Sequence, residues 1–278
     1  MHNAPVAAPA IRSLWLFVLC LFVVVFFVPA AGAAPLTPDH APWARLLEAY
    51  LEKGEGGAPN RFDYRALQAN SEDREALQAY IASLEAVVPA ALPRDEAFAF
   101  WVNLYNALTV AVVVNHYPVA SIRNIAISPG LFSTGPWGKK LVTVAGRELS
   151  LDDIEHGILR PDFDDNRVHY AVNCASAGCP NLASKPYTAD ELDAMLEEAA
   201  RAYVNSPRGA RVEGRRLTAS SIFKWYMKDF GGTEEGVLAE LRKYAGPDLA
   251  AALENVSGVA SYEYDWSLNE AAELEDCK

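Results

Sequence analysis

The stretch Phe98-Ala-Phe-Trp-Val-Asn-Leu-Tyr-Asn-Ala-Leu108 lies within a segment that predicts a helix from about Arg94 to His116. Its large apolar side chains recur every three or four residues, which places them along one stripe of a helix. The helix should end before Pro118, because the residue that precedes a proline resists the α conformation. It is the longest and most apolar helix that the sequence predicts.

Two asparagines interrupt this apolar helix, Asn103 and Asn106. Asparagine is a poor helix former, and a buried amide without partners costs about 1–3 kcal/mol, so both should have fixed hydrogen-bond partners. They either clamp the backbone of a neighbouring loop or take part in chemistry, by orienting an imidazole or donating to an oxyanion. Trp101 and Tyr105 on the same helix, with Trp137 from a Gly/Pro-rich loop, are candidates for lining a ligand groove.

Outside this helix, the sequence predicts a single α+β domain in which helices outnumber short strands and hairpins. Ser150 with Asp153, and Thr188 with Glu191, have the spacing of capping boxes that start helices. The other predicted elements are helices near 42–51, 72–88, 188–204, 220–229, 234–244 and 248–255, and hairpins at 140–149 and 211–217. No internal repeat or long linker is found.

Most of the reactive side chains lie in Arg167-Val-His-Tyr-Ala-Val-Asn-Cys-Ala-Ser-Ala-Gly-Cys-Pro180. Its apolar alternation predicts a strand that carries His169 and ends near Asn173. Cys174 then follows in a loop of small residues, where it can be a nucleophile if a base and thiolate-stabilising groups are close. Alternatively, Cys174 and Cys179 form a disulfide, which four intervening residues allow.

Glu155-His156 adds a further acid and imidazole in the helix that Ser150 starts. Glu155 is a candidate catalytic carboxylate, and His156 is a candidate ligand-binding residue. The spacing of histidines and cysteines does not match a zinc site, which usually has two close ligand pairs, whereas only one pair is present here. We therefore expect neither a metal nor another cofactor.

The N-terminus has the features of a secretory signal peptide over residues 1–33. Arg12 precedes an unbroken apolar run, Leu14–Val28, and an Ala-x-Ala site with cleavage near Ala33 follows. The run is short for a membrane span, which needs about 20 apolar residues. We expect a periplasmic or secreted domain from residue 34 to 278, with an uncleaved N-terminal membrane anchor as the alternative.

Composition and charge exclude some classes of partner. The chain of 278 residues carries a net charge of −12, which disfavours nucleic acid because phosphates require a basic surface. It has no basic patch for anionic lipid, so we expect no membrane contact beyond the N-terminal segment. An unknown small molecule or peptide remains as the partner. Cleavage would remove Cys20 and leave three cysteines, an odd number, of which Cys277 is near the C-terminus.

Four segments together resemble the domain-of-unknown-function 547 (DUF547) family: Phe100-Trp-Val-Asn-Leu-Tyr-Asn-Ala-Leu108, Leu149-Ser-Leu-Asp-Asp-Ile-Glu-His-Gly-Ile-Leu-Arg160, Val168-His-Tyr-Ala-Val-Asn-Cys174 and Tyr264-Asp-Trp-Ser-Leu-Asn269. The resemblance covers nearly the whole chain after the signal peptide. It implies a single domain of the kind found in exported bacterial proteins and in plants, and it implies no established reaction. It also implies that a cysteine often stands at position 174, while serine or another residue can replace Cys179, which argues against an obligatory disulfide without excluding one in this chain.

A looser similarity, at the level of fold alone, is to papain-like and transglutaminase-like proteins, in which an apolar helix packs on strands that carry the histidine. Two functions follow from the residues. The first is a thiol-dependent hydrolase or acyl transferase with Cys174 as nucleophile, His169 as base, and Asn103 or Asn106 orienting the base. The second is a non-catalytic envelope domain that binds a ligand or partner and has a structural Cys174–Cys179 disulfide.

Overall fold

The computed structural model describes residues 1–2, 37–130 and 133–271. The chain divides into two compact units, Met1–Ala34 and Pro35–Lys278, and the description below concerns the second. Apart from its first two residues, the predicted signal peptide lies outside the described residues. Cys20 and Cys277 lie outside them as well.

Helices make up about half of the described chain. They are α1 (Ala41–Tyr50), α2 (Tyr64–Ala69), α3 (Ser71–Glu85), α4 (Arg94–His116), α5 (Leu151–Ile154), α6 (Arg160–Phe163), α7 (Val168–Ala171), α8 (Leu192–Val204), α9 (Ser221–Trp225), α10 (Glu234–Tyr244) and α11 (Pro247–Leu253). A π-helical turn, Glu155–Leu159, joins α5 to α6. Short 3₁₀ turns occur at Pro89–Ala91, Ile122–Asn124, Ala189–Glu191 and Met227–Phe230.

The strands are short and form small sheets. They are β1 (Leu51–Glu52), β2 (Arg61–Phe62), β3 (Val142–Val144), β4 (Arg147–Leu149), β5 (Ala210–Glu213), β6 (Arg216–Ser220) and β7 (Val259–Glu263). β1 pairs with β2 and β3 with β4, both antiparallel. β6 lies between antiparallel β5 and parallel β7. The fold is therefore α+β, mainly helical with short strands, as predicted.

Helix α4 is the central element of the core. It runs from Arg94 to His116 as predicted, and its residues from Ala97 to Val114 are all buried. It packs against α2, α3 and α5. Its length and composition would suffice to cross a membrane, but the apolar window is entirely covered by the rest of the protein. The apolar composition of α4 is therefore explained by its place in the core.

The core consists of two apolar clusters, and the single turn of α7 contributes to both. Val168 and Ala171 belong to the cluster around α4, whereas Tyr170 belongs to the second cluster. The second cluster includes Tyr203, Leu217, Phe223, Leu241 and Leu253 from α8, β6, α9, α10 and α11. The segment that follows α7 therefore starts where the two clusters meet.

Two local predictions are wrong. His169 lies in helix α7 and not in a strand, because residues 168–172 are buried on all sides and a short apolar run cannot distinguish the two structures. Thr188 makes no capping hydrogen bond through its side chain, and a 3₁₀ turn precedes α8. In contrast, Ser150 and Asp153 do form the predicted capping box at the start of α5.

Candidate active site

A cleft of about 460 Å³ opens beside α7. Its lining comes from Tyr105 on α4 and from parts of five segments: 128–138, 152–156, 169–180, 222–226 and 264–266. Residues 131 and 132 are outside the described chain and are not included. Cys174, Cys179, His169, Glu155 and His156 all line it. The structure thus brings most of the predicted site residues to one place.

The cysteine loop, Val172–Pro180, is attached to α4 through Asn106. The Asn106 side chain donates to the carbonyl of Ala171 at 3.0 Å and accepts from the amide of Asn173 at 2.8 Å. The side chain of Asn173 then donates to the carbonyl of Pro180 at 2.7 Å, which ties the two ends of the loop together. The position of Cys174 is therefore fixed by buried amides and not by a regular strand.

The other side of the cysteine loop is hydrogen-bonded to residues 265–269. The amides of Ala177 and Gly178 donate to the carbonyls of Ser267 and Asp265, each at 2.8 Å. A Cβ atom at Gly178 would lie 2.7 Å from the backbone nitrogen of Asp265, so only glycine allows this approach. Because these two amides already have partners, they are not free to bind an oxyanion.

Three hydrogen-bond partners surround the Sγ atom of Cys174, and each carries a proton that it can donate once Cys174 is ionised. The Sγ of Cys179 lies at 3.0 Å, and the hydroxyls of Ser176 and Tyr264 each lie at 3.1 Å. The amide of Cys174 donates to the Sγ of Cys179 at 3.0 Å. Both cysteines are free thiols, and no disulfide joins them.

The surroundings separate the acidities of the two thiols. The hydrogen bond from Cys179 is the largest influence on Cys174 and lowers its pKa, with further lowering by the hydroxyls of Ser176 and Tyr264. Burial raises the pKa of Cys179 well above its ordinary value, and its hydrogen bond to Cys174 adds to the increase. Cys174 is therefore the thiol that ionises first, and Cys179 is the donor that stabilises its thiolate.

His169 is buried in the wall of the cleft and has one hydrogen-bond partner. Its Nε2 lies 2.7 Å from Oδ2 of Asp229, and its ring stacks on Tyr226 with centroids 4.1 Å apart. Its Nδ1 is buried without a hydrogen-bond partner and lies 3.9 Å from Oε1 of Glu155. The Asp229 carboxylate accepts a hydrogen bond from Nε2–H of His169. Nδ1 then has no proton of its own and remains available to accept one.

Asp229 is a site residue that the sequence reasoning missed. It accepts from His169 and forms a two-point ion pair with Arg160, at 2.6 and 3.0 Å. The hydrogen bond from His169, followed by that from Arg160, holds the pKa of Asp229 well below its usual range. Asp229 lies in a 3₁₀ turn 60 residues after His169, and no local sequence signal connects the two.

The capping box and the π-helical turn position Glu155 and His156 differently. Glu155 is buried and accepts a hydrogen bond from the hydroxyl of Tyr105 at 3.1 Å. The side chain of His156 is 38 % exposed at the rim, and its Nδ1 lies 3.2 Å from Arg160. The single extra residue of a π turn explains why neighbours in sequence take these different environments.

The predicted asparagines both act as backbone clamps. Asn103 donates to the carbonyl of Tyr187 at 2.8 Å and accepts from its amide at 3.0 Å, as Asn106 does around Val172. The hydrogen bonds of both amides thus go to backbone groups and not to His169. Of the predicted binding residues, Tyr105, Trp137 and His156 line the cleft, whereas Trp101 packs in the core against Phe100.

Part of the cleft lining is an aromatic wall, which consists of Trp137, Trp225, Tyr264 and Trp266. The rings of Tyr264 and Trp266 lie 4.7 Å apart, and Trp225 lies within 5.5 Å of both. Trp225 is 48 % exposed, which is unusual for a residue of this size. Sequence reasoning found only Trp137, because the other three come from separate segments that the fold brings together.

Among the described residues, no group of three or more His, Cys, Asp or Glu side chains is arranged to hold a metal ion. The absence of a cofactor stays a prediction, and so does the absence of nucleic-acid and membrane partners. The reactive groups in the described lining are thiols, imidazoles and carboxylates.

Residues 89–204 match the model of the family described as "Protein of unknown function, DUF547". This match confirms the predicted resemblance, and it includes the segments around Asn103, Glu155 and His169. Searches of curated proteins and of solved structures gave no match. The comparisons therefore give a family resemblance over residues 89–204 and no reaction, and the papain-like similarity stays a prediction.

Proposed function

We propose that the protein is a thiol-dependent hydrolase or acyl transferase with Cys174 as its nucleophile. The observation that carries this proposal is the environment of Cys174, whose Sγ has three hydrogen-bond partners at 3.0–3.1 Å in the lining of an open cleft. A nucleophilic cysteine requires a stabilised thiolate together with access for the substrate. A cysteine that served only in packing would need neither.

In this proposal His169 transfers the protons and Asp229 orients it. Its Nε2–H donates to Asp229, which leaves the unpartnered Nδ1 to take a proton from Cys174 and return it to a leaving group. His169 and Cys174 both line the cleft, and no hydrogen bond joins them in this structure. Asp229 thus has the orienting role that the sequence had suggested for Asn103 or Asn106. Glu155, 3.9 Å from Nδ1, stabilises the imidazolium that forms.

The alternative is a non-catalytic domain that binds a ligand against the aromatic wall. The exposed ring of Trp225 favours it, because an exposed aromatic cluster at a cleft is typical of binding sites. In this alternative the thiols close to a disulfide after export, for which their 3.0 Å separation leaves little movement to make. The two proposals differ in whether Cys174 becomes acylated.

The test is acylation of the chain without its signal peptide by p-nitrophenyl acetate, followed by intact-mass and peptide mass spectrometry. We expect one acetyl group on Cys174, none in Cys174→Ser, and slower acetylation in Cys179→Ala, which loses one donor to the thiolate. An acetylation rate of Cys174 no higher than that of free glutathione at the same pH would contradict the proposal.

We also propose that the domain acts outside the cytoplasm, after cleavage near Ala33. The apolar run Leu14–Val28 and the Ala-x-Ala site support this. N-terminal sequencing of the protein from envelope and secreted fractions should find a chain that begins close to Ala34. A cytoplasmic, uncleaved chain would overturn the proposal, and an uncleaved membrane-bound chain would favour the anchor.

A further inference from the structure

We infer that the cleft binds a primary alkylammonium group between Glu155 and Asp152, and that the reaction therefore makes or breaks an amide. The reaction part of this inference rests on the proposed function, because it requires acyl-Cys174. The binding part does not depend on it. The inference follows from the charge of the cleft, an unpartnered acceptor and the aromatic wall.

The formal charges in the described lining of the cleft are negative. Its lining includes the carboxylates of Asp152 and Glu155 and contains no lysine or arginine. The nearest guanidinium, that of Arg160, is paired at two points with Asp229, so its charge is already balanced. Arg160 also donates to Nδ1 of His156, and because a guanidinium can only donate, that imidazole nitrogen carries no proton. His156 lies 3.8 Å from a carboxylate oxygen of each, Asp152 and Glu155, and with its Nδ1 unprotonated it does not neutralise them. The lining therefore supplies no lysine or arginine to pair with the two carboxylates.

Beside Glu155, which accepts from Tyr105, one ring nitrogen of His169 has no donor. Nδ1 of His169 is buried, has no hydrogen-bond partner and lies 3.9 Å from Oε1 of Glu155. Buried polar atoms are nearly always hydrogen-bonded, so an unpartnered one in the lining of a cleft indicates where a ligand atom belongs. An ammonium group has three N–H donors and no acceptor, which suits two acceptors at this separation.

The aromatic wall suits the alkyl chain of such a ligand. Trp225, Tyr264 and Trp266 present ring surfaces that an aliphatic chain can cover, and a ring face also attracts a nearby cation. A neutral ligand of the same shape would gain the apolar contact alone. The carboxylates therefore provide the selectivity for an amine, and the rings add affinity.

The position of the ammonium group connects binding to the proposed chemistry. In cleavage, the proton of Cys174 passes to Nδ1 of His169 and the thiolate attacks the amide carbon. A C–S bond forms, the C–N bond breaks, and the nitrogen takes the proton from Nδ1, so the amine leaves and a thioester remains. Water then releases the acid. In transfer, an ammonium loses one proton to Nδ1 and the neutral amine attacks the thioester, which restores the thiol.

Binding is tested with n-butylammonium chloride against 1-butanol, which has nearly the same shape without the charge. The readout is intrinsic tryptophan fluorescence of the chain without its signal peptide, at constant ionic strength held with sodium chloride. We expect n-butylammonium to bind at least about tenfold more tightly than 1-butanol, which corresponds to a difference of about 1.4 kcal/mol. Equal affinities would overturn the inference.

Two variants and a control locate the site. Glu155→Gln and Asp152→Asn should each weaken n-butylammonium binding and leave 1-butanol binding unchanged. Asp152, with a side chain 51 % exposed, serves as the second variant if the buried Glu155 cannot be replaced without unfolding. Glu213→Gln, on a side chain 83 % exposed in β5, removes the same charge elsewhere and should have no effect. Unchanged affinity in both cleft variants would contradict the inference.

A second arm separates this inference from the proposed function. After acetylation by p-nitrophenyl acetate, n-butylamine should divert acetyl-Cys174 to N-butylacetamide, measured against acetate formation. If n-butylammonium binds but no acetyl-Cys174 forms, the proposed function fails and the ammonium site stands. If acetyl-Cys174 forms and n-butylamine neither binds nor diverts it, the inference fails and the proposed function stands.

Discussion

The cysteine loop and the wall formed by Asp152, Glu155 and His156 face the same cleft but have opposite polarity. In the cysteine loop, donors converge on Cys174, so that side stabilises a negative charge. On the facing side, two carboxylates and an unpartnered imidazole nitrogen offer acceptors, so that side stabilises a positive charge. The cleft lining therefore combines a region that stabilises negative charge with a region that stabilises positive charge.

The two sides also differ in how the chain builds them. The acidic side, which consists of Asp152, Glu155 and His156, is built from residues that are close in sequence. A capping box starts α5, and the π-helical turn follows α5 directly. The cysteine loop depends on distant partners, which are Asn106 on α4 and residues 265–269 near the C-terminal end of the described chain. We therefore expect single substitutions to disturb the cysteine loop through packing and hydrogen bonds, and the acidic side through charge.

The largest effect is expected from Asp229→Asn. Without the anionic partner, His169 loses the group that fixes its orientation and stabilises its protonated form, while Arg160 loses its ion pair. Acetylation of Cys174 should slow by about 100-fold or more, a typical contribution of an oriented general base. Asp162→Asn, at an exposed position of α6, is the control and should retain the full rate. A rate for Asp229→Asn within threefold of the unaltered protein would exclude the proposed role.

Asn106→Ala should give the next largest effect, on stability. The change leaves the carbonyl of Ala171 and the amide of Asn173 buried without partners, at a cost of about 3 kcal/mol in the free energy of unfolding. Urea unfolding measures this value. Asn115→Ala, at the exposed end of the same helix, should change it by less than about 0.5 kcal/mol. Equal effects of the two substitutions would show that the cysteine loop does not depend on the clamp.

Gly178→Ala should destabilise the protein by about 2 kcal/mol, because a Cβ atom there would meet the backbone of Asp265 and push the loop away. Thermal and urea unfolding would both detect it. Gly157→Ala is the matched control, since a Cβ at that position meets nothing within 4 Å. If Gly178→Ala were as stable as the control, the contact between the cysteine loop and residues 265–269 would be looser than described.

Tyr264→Phe should raise the pKa of Cys174, because it removes a hydroxyl that stabilises the thiolate. The pH dependence of alkylation by iodoacetamide measures this pKa. Tyr262→Phe, two residues earlier, removes a buried hydroxyl that has no hydrogen-bond partner, so the pKa of Cys174 should not move. A shift of equal size in both variants would assign it to a general change in packing.

The smallest effect concerns stability in acid. Because the pKa of Asp229 is lower in the folded protein than in the unfolded chain, its stabilisation is fully present above about pH 4 and is lost as the pH falls further. The difference in unfolding free energy between the unaltered protein and Asp229→Asn should therefore shrink from pH 5 to pH 2. A difference that grows over this interval would contradict the ion pair of Asp229 with His169 and Arg160.

The parts of the fold that local sequence signals determine were predicted well. Helix α4, the two hairpins and the capping box of Ser150 and Asp153 each follow from periodicity or turn residues within one segment. Helix α7 was mistaken for a strand because both of its faces are buried, which removes the periodic pattern. Strand β7 was missed because its parallel pairing with β6 joins segments about 40 residues apart, as in Leu217 with Val259.

The candidate site was predicted in part. Cys174, His169, Glu155 and His156 were found because reactive residue types cluster in sequence and the fold brings both clusters to the cleft. Asp229 was missed because carboxylates are common, and nothing near it in sequence indicates an imidazole partner. The asparagines were noticed through the cost of burying an amide, and that argument correctly required fixed partners without saying which.

The central claim, that Cys174 is a reduced and ionisable nucleophile, is tested most directly by differential alkylation. The native chain without its signal peptide is treated with iodoacetamide in the absence of reductant over a range of pH, and its peptides are analysed by mass spectrometry. We predict rapid labelling of Cys174 with an apparent pKa below the ordinary thiol value of about 8.5, while Cys179 stays unlabelled. A Cys174–Cys179 disulfide-linked peptide, or labelling of Cys174 no faster than an ordinary exposed thiol, would contradict the claim.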